Sequence, residues 1–146
     1  MTISSWPYYD EQQIKAVSDI LRRGAVKGNG IETRSFEIEF ANYINVKKAI
    51  AISNGSLALS SAYLSIGIGR GDEVITTPRT FIATAASVAL LGAIPVFADV
   101  DKDSGNLCPQ SVEALINKKT KAIVVVHLAG WPADMDSICS LAKKYS

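Results

Sequence analysis

Residues 73–98 read EVITTPRTFIATAASVALLGAIPVFA, and this stretch decides the fold. Glu73 to Thr76 is a short β-forming run. Phe81 to Leu91 carries apolar residues at helical spacing and is closed by Gly92, and Ile94 to Ala98 is a second short run. Strands that alternate with helices, and that are apolar throughout rather than on one face, belong to a parallel sheet covered on both sides. The same alternation extends outward. Ala49 to Ile52 is a buried-strand candidate and Leu57 to Ile66 a helix. Downstream, Pro109 stands at a first helical position before Val112, Leu115 and Ile116, then Ala122 to His127 is a β-branched strand and Met135 to Lys144 a final helix. The expected fold class is α/β, three-layer α-β-α with a mainly parallel sheet. Upstream, Asp10 and Gln13 form a capping box for a helix whose Ile14, Val17 and Leu21 share a face, with Gly24 as the stop. After the connector Gly28-Asn29-Gly30, Thr33 can cap a second helix, and its stripe of Phe36, Phe40, Tyr43 and Ile44 reads as core packing.

Composition narrows the function classes. The chain has 146 residues, 48% apolar and 20% charged, so a core can form without disulfide or metal staples. Lys plus Arg is 15 against 14 for Asp plus Glu; a net charge of +1 supplies no field for a phosphate backbone, which disfavours nucleic-acid binding. Cys108 and Cys139 lack metal-ligand spacing and read as reduced thiols, the pattern of a cytoplasmic protein. The uncharged stretches Ala49 to Gly69 and Thr80 to Ala98 fail as membrane spans, the first cut by Ser53-Asn54-Gly55-Ser56 and the second by Gly92 and Pro95. Met1 to Tyr9 shows no secretory signal. Gly67-Ile68-Gly69-Arg70-Gly71 follows a helix and precedes a strand, the reverse of a dinucleotide loop. Asp99, Asp101 and Asp103 lack the glycine and glutamate that a calcium loop needs, so no metal site is expected.

In a parallel sheet, ligands bind outside the carboxyl ends of the strands, so the turns leading into helices matter most. At Ser53-Asn54-Gly55-Ser56, Gly55 lets the backbone approach a ligand, Ser56 offers a hydroxyl, and the amides of Ser56, Leu57 and Ala58 are candidate free donors for a phosphate. The plainer reading makes Ser56 a helix cap and Asn54-Gly55 a turn. At Thr77-Pro78-Arg79-Thr80-Phe81, Thr80 can cap the helix. Phe81, in its first turn, can stack on a flat ring, and Arg79 can meet an anion. A core phenylalanine and a solvated arginine are the plainer alternatives. His127, the only histidine, ends a strand at the ligand-facing edge before Gly130-Trp131; a local hydrogen bond is its plainer role.

Taken in order, these blocks resemble the N-terminal part of the DegT/DnrJ/StrS-type nucleotide-sugar aminotransferases, pyridoxal-phosphate enzymes of the aspartate aminotransferase fold. The resemblance rests on Ala49 to Leu59, Gly67 to Pro78, Thr80 to Ala85, Gly92 to Asp101 and His127 to Asp136, with Phe36 to Ala41 as an earlier block. It implies that Gly55, Ser56 and Leu57 hold the phosphate of pyridoxal 5'-phosphate, that Phe81 stacks on its ring, and that His127 and Arg79 lie near the pocket. It divides the chain into an arm and helix over 1–30 and, over 31–146, the first part of a cofactor-binding large domain. The implied reaction transfers an amino group, usually from glutamate, to a nucleotide-linked keto-deoxy sugar, in a homodimer.

The resemblance also places the cofactor-bonding lysine, and the carboxylate paired to the ring nitrogen, beyond Lys144. Lys47, Lys48, Lys143 and Lys144 read as solvated ends, so no catalytic residue is assigned here and the chain by itself is expected to be an inactive fragment. Two other functions fit the same residues. One is a dehydratase using the pyridoxamine form, with histidine replacing that lysine. The other is a non-catalytic module binding a phosphorylated small molecule or a partner subunit. A fragment is expected to leave apolar surface bare and to self-associate, a module to be a compact monomer.

Overall fold

A computed structural model describes residues 7–145. The start of the expected N-terminal arm and most of the stretch read for a secretory signal lie in residues 1–6, outside the described residues. Two compact units divide between Ala51 and Ile52.

The first unit holds α1 (Glu11–Arg22) and α2 (Ile31–Tyr43). The capping box forms as the sequence requires: Asp10 Oδ1 accepts from the Gln13 amide at 2.8 Å and Gln13 Oε1 from the Asp10 amide at 2.9 Å. Two expectations fail here. Thr33 does not cap α2, which starts at Ile31 with Gly30 at the cap, three positions earlier, and no side-chain bond there. The stripe of α2 is not core, since Phe36, Phe40, Tyr43 and Ile44 are all exposed and only Ala41 is buried. So short a helical segment has too little volume to enclose its own apolar face. Phe36 and Phe40 instead pack on each other, ring centroids 5.6 Å apart.

The second unit opens with α3 (Gly55–Ser65), then β1 (Glu73–Thr76), α4 (Ala83–Leu90) and β2 (Ile94–Phe97). It continues with α5 (Pro109–Leu115), β3 (Thr120–Ile123), a 3-10 turn at Leu128–Gly130, and α6 (Met135–Lys144). The strands pair in parallel in the order β2-β1-β3. Alternate residues of a strand face opposite ways, and β1 shows it: Val74 and Ile75 are both fully buried, in separate cores. Val74 joins Tyr63, Ile68, Val88 and Ala93 on one face, whereas Ile75 joins Ala98, Leu107, Val112 and Ile138 on the other. Each buried valine, leucine or isoleucine among them contributes about 1.5–3 kcal/mol by leaving water. Helices thus cover both faces of the sheet, as expected of three layers.

The run Ala49 to Ile52 forms no strand; Ile50 and Ile52 are exposed and the sheet offers this stretch no partner. Apolar β-branched residues are not a strand until a neighbour takes their backbone hydrogen bonds. The last expected strand also stops early, at Ile123, although Val124 still donates its amide to Ile75 O at 2.8 Å. Gly67 to Gly71 is the expected helix-to-strand connection.

Candidate functional site

Because the three strands are parallel, the segments that leave them all emerge at one edge of the sheet: Thr77 onward from β1, Ala98 onward from β2 and Val124 onward from β3. The chain steps from β1 to β2 on one side and returns to place β3 on the other, so strand order reverses at β1. Such a switch point opens a crevice between the turns that leave β1 and β3, where ligands of α/β sheets bind.

The turn before α3 is organised by Asn54. Its Oδ1 accepts from the Leu57 amide at 2.9 Å and its carbonyl from the Ala58 amide at 3.1 Å. Asn54, not Ser56, is therefore the cap, and the Leu57 and Ala58 amides expected to be free are engaged. Among the described residues, the amides of Gly55 and Ser56 have no acceptor within the chain. Both stand at the positive end of the helix dipole, and no acidic residue occupies the first turn. Ser87 Oγ of α4 reaches the Ser56 carbonyl at 3.4 Å, and Tyr63 Oη donates to Thr84 O at 3.1 Å, tying α3 to α4.

Phe81 lies just ahead of α4 rather than in its first turn. Its carbonyl accepts from the Thr84 amide at 3.1 Å, and Thr80 pairs its hydroxyl with that of Thr84 at 3.2 Å. The ring is 74% exposed, which removes the reading as a core residue in this unit. Arg79, also exposed, donates its amide to Thr77 Oγ1 at 3.1 Å, and its guanidinium lies against Gly105 where a Cβ would sit. Gly105, at φ +68, leaves room for it. The local role of His127 holds: Nδ1 accepts from the Ala133 amide at 3.1 Å, which puts the proton of the neutral ring on Nε2.

The expected residues thus fall into two groups. Ser56 and Phe81 flank the packed pair α3 and α4, whereas Arg79 and His127 border the loop that follows β2. Among the described residues no hydrogen bond joins the groups. In the sequence that loop is weighed only as a calcium site and set aside, which leaves Asn106 unnoticed. Asn106, 3% exposed, binds the turn after His127 with both ends of its carboxamide, yet within Asp99 to Asn106 it looks like any solvated turn residue.

Residues 7–146 match the sequence pattern of the DegT/DnrJ/EryC1/StrS aminotransferase family. The chain belongs to that family. It is 40% identical to the spore coat polysaccharide biosynthesis protein SpsC of Bacillus subtilis, over 97% of this chain and 36% of that protein. A pleiotropic regulatory protein of Geobacillus stearothermophilus is 44% identical over 91% of this chain and 36% of its own length. Among solved structures, an aminotransferase from Psychrobacter cryohalolentis superposes with a TM-score of 0.94 at 52% identity, covering 97% of this chain and 36% of that one. 3-Amino-5-hydroxybenzoic acid synthase gives 0.91 at 38% identity, over 96% and 37%. The chain spans little more than a third of these members of the family, and its layered sheet is the matching part of their larger fold.

Proposed function

We propose that this chain forms the cofactor-phosphate side of a pyridoxal 5'-phosphate-dependent sugar aminotransferase. The observation that carries this reading is the pair of unpartnered amides, Gly55 and Ser56, beside the Ser56 hydroxyl at an acid-free helix N-terminus. These groups fit a phosphate, and family relatives solved in pyridoxal- and pyridoxamine-phosphate forms support the same cofactor. When bound, the cofactor supplies the electron sink for amino-group transfer. Gly55 and Ser56 anchor its phosphate; Leu57 helps through position alone, because its amide serves Asn54. The exposed face of Phe81 covers the ring, and Arg79 and His127 border the substrate side. Residues 31–146 then open the cofactor-binding domain behind an arm and helix over 1–30.

The substrate in this reading is a nucleotide-linked keto-deoxy sugar with glutamate as amino donor, serving polysaccharide or deoxyamino-sugar synthesis in the cytoplasm. The name of SpsC supports the polysaccharide role. No lysine of this chain is assigned to catalysis. Lys144 is held charged by Glu113, whose Oε1 lies 2.6 Å from Nζ, which suits a structural pair and not a nucleophile. Self-association, ultimately as a homodimer, would cover exposed apolar residues such as Leu90 and Phe97.

The test is amide chemical-shift mapping during titration with pyridoxal 5'-phosphate, with unphosphorylated pyridoxal as control. The expected result is that Gly55 and Ser56 shift most and only with the phosphorylated compound, and that Ser56→Glu abolishes the response. Equal responses to both compounds, or shifts centred elsewhere, refute the reading.

A further inference from the structure

The turn at Leu128–Gly130 is held in an unfavourable conformation. Ala129 sits at φ 52 and Gly130 at φ 82, two consecutive left-handed residues, the first with a Cβ that opposes it. A turn of this kind persists only when its surroundings over-determine it. Within the turn, the Gly130 amide reaches His127 O at 3.1 Å and the Trp131 amide reaches Leu128 O at 2.9 Å.

Two further restraints act on it: His127 Nδ1 accepts from the Ala133 amide at 3.1 Å, and one distant side chain spans the turn. Asn106 Oδ1 accepts from the Leu128 amide at 3.0 Å, and Asn106 Nδ2 donates to Trp131 O at 3.0 Å, so the carboxamide spans the turn from end to end. Asn106 is itself fixed. Its carbonyl accepts from the Asp101 amide at 2.8 Å, its amide reaches Ser104 Oγ at 3.3 Å, and the neighbouring Leu107 is buried and bridges to Val100. Asp101 Oδ1 closes the loop by accepting from the Asp103 amide, the Ser104 amide and the Ser104 hydroxyl. The same loop seats the Arg79 guanidinium on Gly105.

We propose that Asn106 is the positioning residue of the ligand-facing edge: its buried carboxamide holds the strained turn that directs His127 Nε2–H and the Trp131 indole outward. The step to function rests on the reading that this edge receives the ligand; the clamp itself does not. A carboxamide is needed because one end must accept and the other donate. Aspartate keeps the acceptor for Leu128 but presents a second oxygen to the Trp131 carbonyl, and alanine removes both bonds.

The experiment uses the ligand-free chain, so failure of the clamp is distinguishable from failure of cofactor binding. Imidazole nitrogen shifts of His127 report its tautomer, and hydrogen exchange reports the Leu128 amide. In the unaltered protein, His127 is expected as the Nε2–H tautomer and Leu128 as protected. Asn106→Ala is expected to draw the two His127 nitrogen shifts together and to speed Leu128 exchange about two- to tenfold, the range for one lost hydrogen bond. Asn106→Asp is expected to keep Leu128 protected while the Trp131 side loosens. A Leu128 amide that exchanges like an open loop in the unaltered protein overturns the proposal, as does a folded Asn106→Ala that changes neither readout. If Asn106→Ala does not fold, Asn106→Asp decides, and equal loss at both ends of the turn overturns the clamp.

Discussion

Replacing Tyr63 by phenylalanine probes the strap between the two helices that frame the proposed phosphate site. Tyr63 is the buried residue of α3, 4% exposed, with its ring in the core that holds Val74 and Val88 and its hydroxyl on Thr84 O. Phenylalanine keeps the ring and loses the bond. A buried hydrogen bond is worth about 0.5–1.5 kcal/mol net, and the Thr84 carbonyl retains its place in the ladder of α4, so the cost is expected near 1 kcal/mol. Tyr63→Ala also opens a cavity and is expected to cost about 3–5 kcal/mol. Urea denaturation followed by circular dichroism measures both. The hydroxyl adds a pH signature, because burial raises its pKa above the ordinary 10.0. An acid whose folded pKa is raised contributes stability that is complete below the unfolded value and lost as pH rises through the folded one. The wild-type chain should therefore lose stability faster than Tyr63→Phe as pH climbs past 10.0, narrowing the gap between them. Equal stabilities at neutral pH, or parallel alkaline curves, would show that the strap carries nothing.

Substitutions at Asn54 and Gly105 separate local from tertiary effects. Asn54→Ala removes the cap of α3 and should cost about 1 kcal/mol in the same denaturation assay. Asn54→Asp keeps the cap but sets a negative charge beside the Gly55 and Ser56 amides, so it should weaken pyridoxal 5'-phosphate binding, measured by calorimetry, without lowering Tm. Gly105→Ala should cost about 1–2 kcal/mol from its left-handed backbone and displace the Arg79 guanidinium. In an Arg79→Ala background most of that cost should remain, and its disappearance would locate the penalty in the side-chain collision instead.

Elements marked by local chemistry were legible before folding. The limits of β1 and α6, the Asp10 capping box and Pro109 at the start of α5 follow from residues that act within one or two turns of themselves. Ala49 to Ile52 has a strand's composition and no strand, and the Phe36 stripe has a core's periodicity and stands in water. Both errors concern what lies opposite a segment, which local pattern does not encode. The site divided the same way. The helix N-terminus at Gly55 and Ser56 was visible as a turn before an apolar run, but its cap was assigned to the wrong hydroxyl-sized neighbour, because Asn54 and Ser56 are both acceptable caps.

Sequence alone determined the parallel α/β architecture and the turns able to face a ligand, because hydrophobic periodicity and turn chemistry are properties of neighbouring residues. Tertiary structure decided that the Arg79 guanidinium rests on Gly105 and that Asn106 governs a turn more than twenty positions away. Those outcomes depend on contacts between segments distant in sequence, and a buried polar group such as Asn106 is satisfied by whatever the fold brings within 3.0 Å.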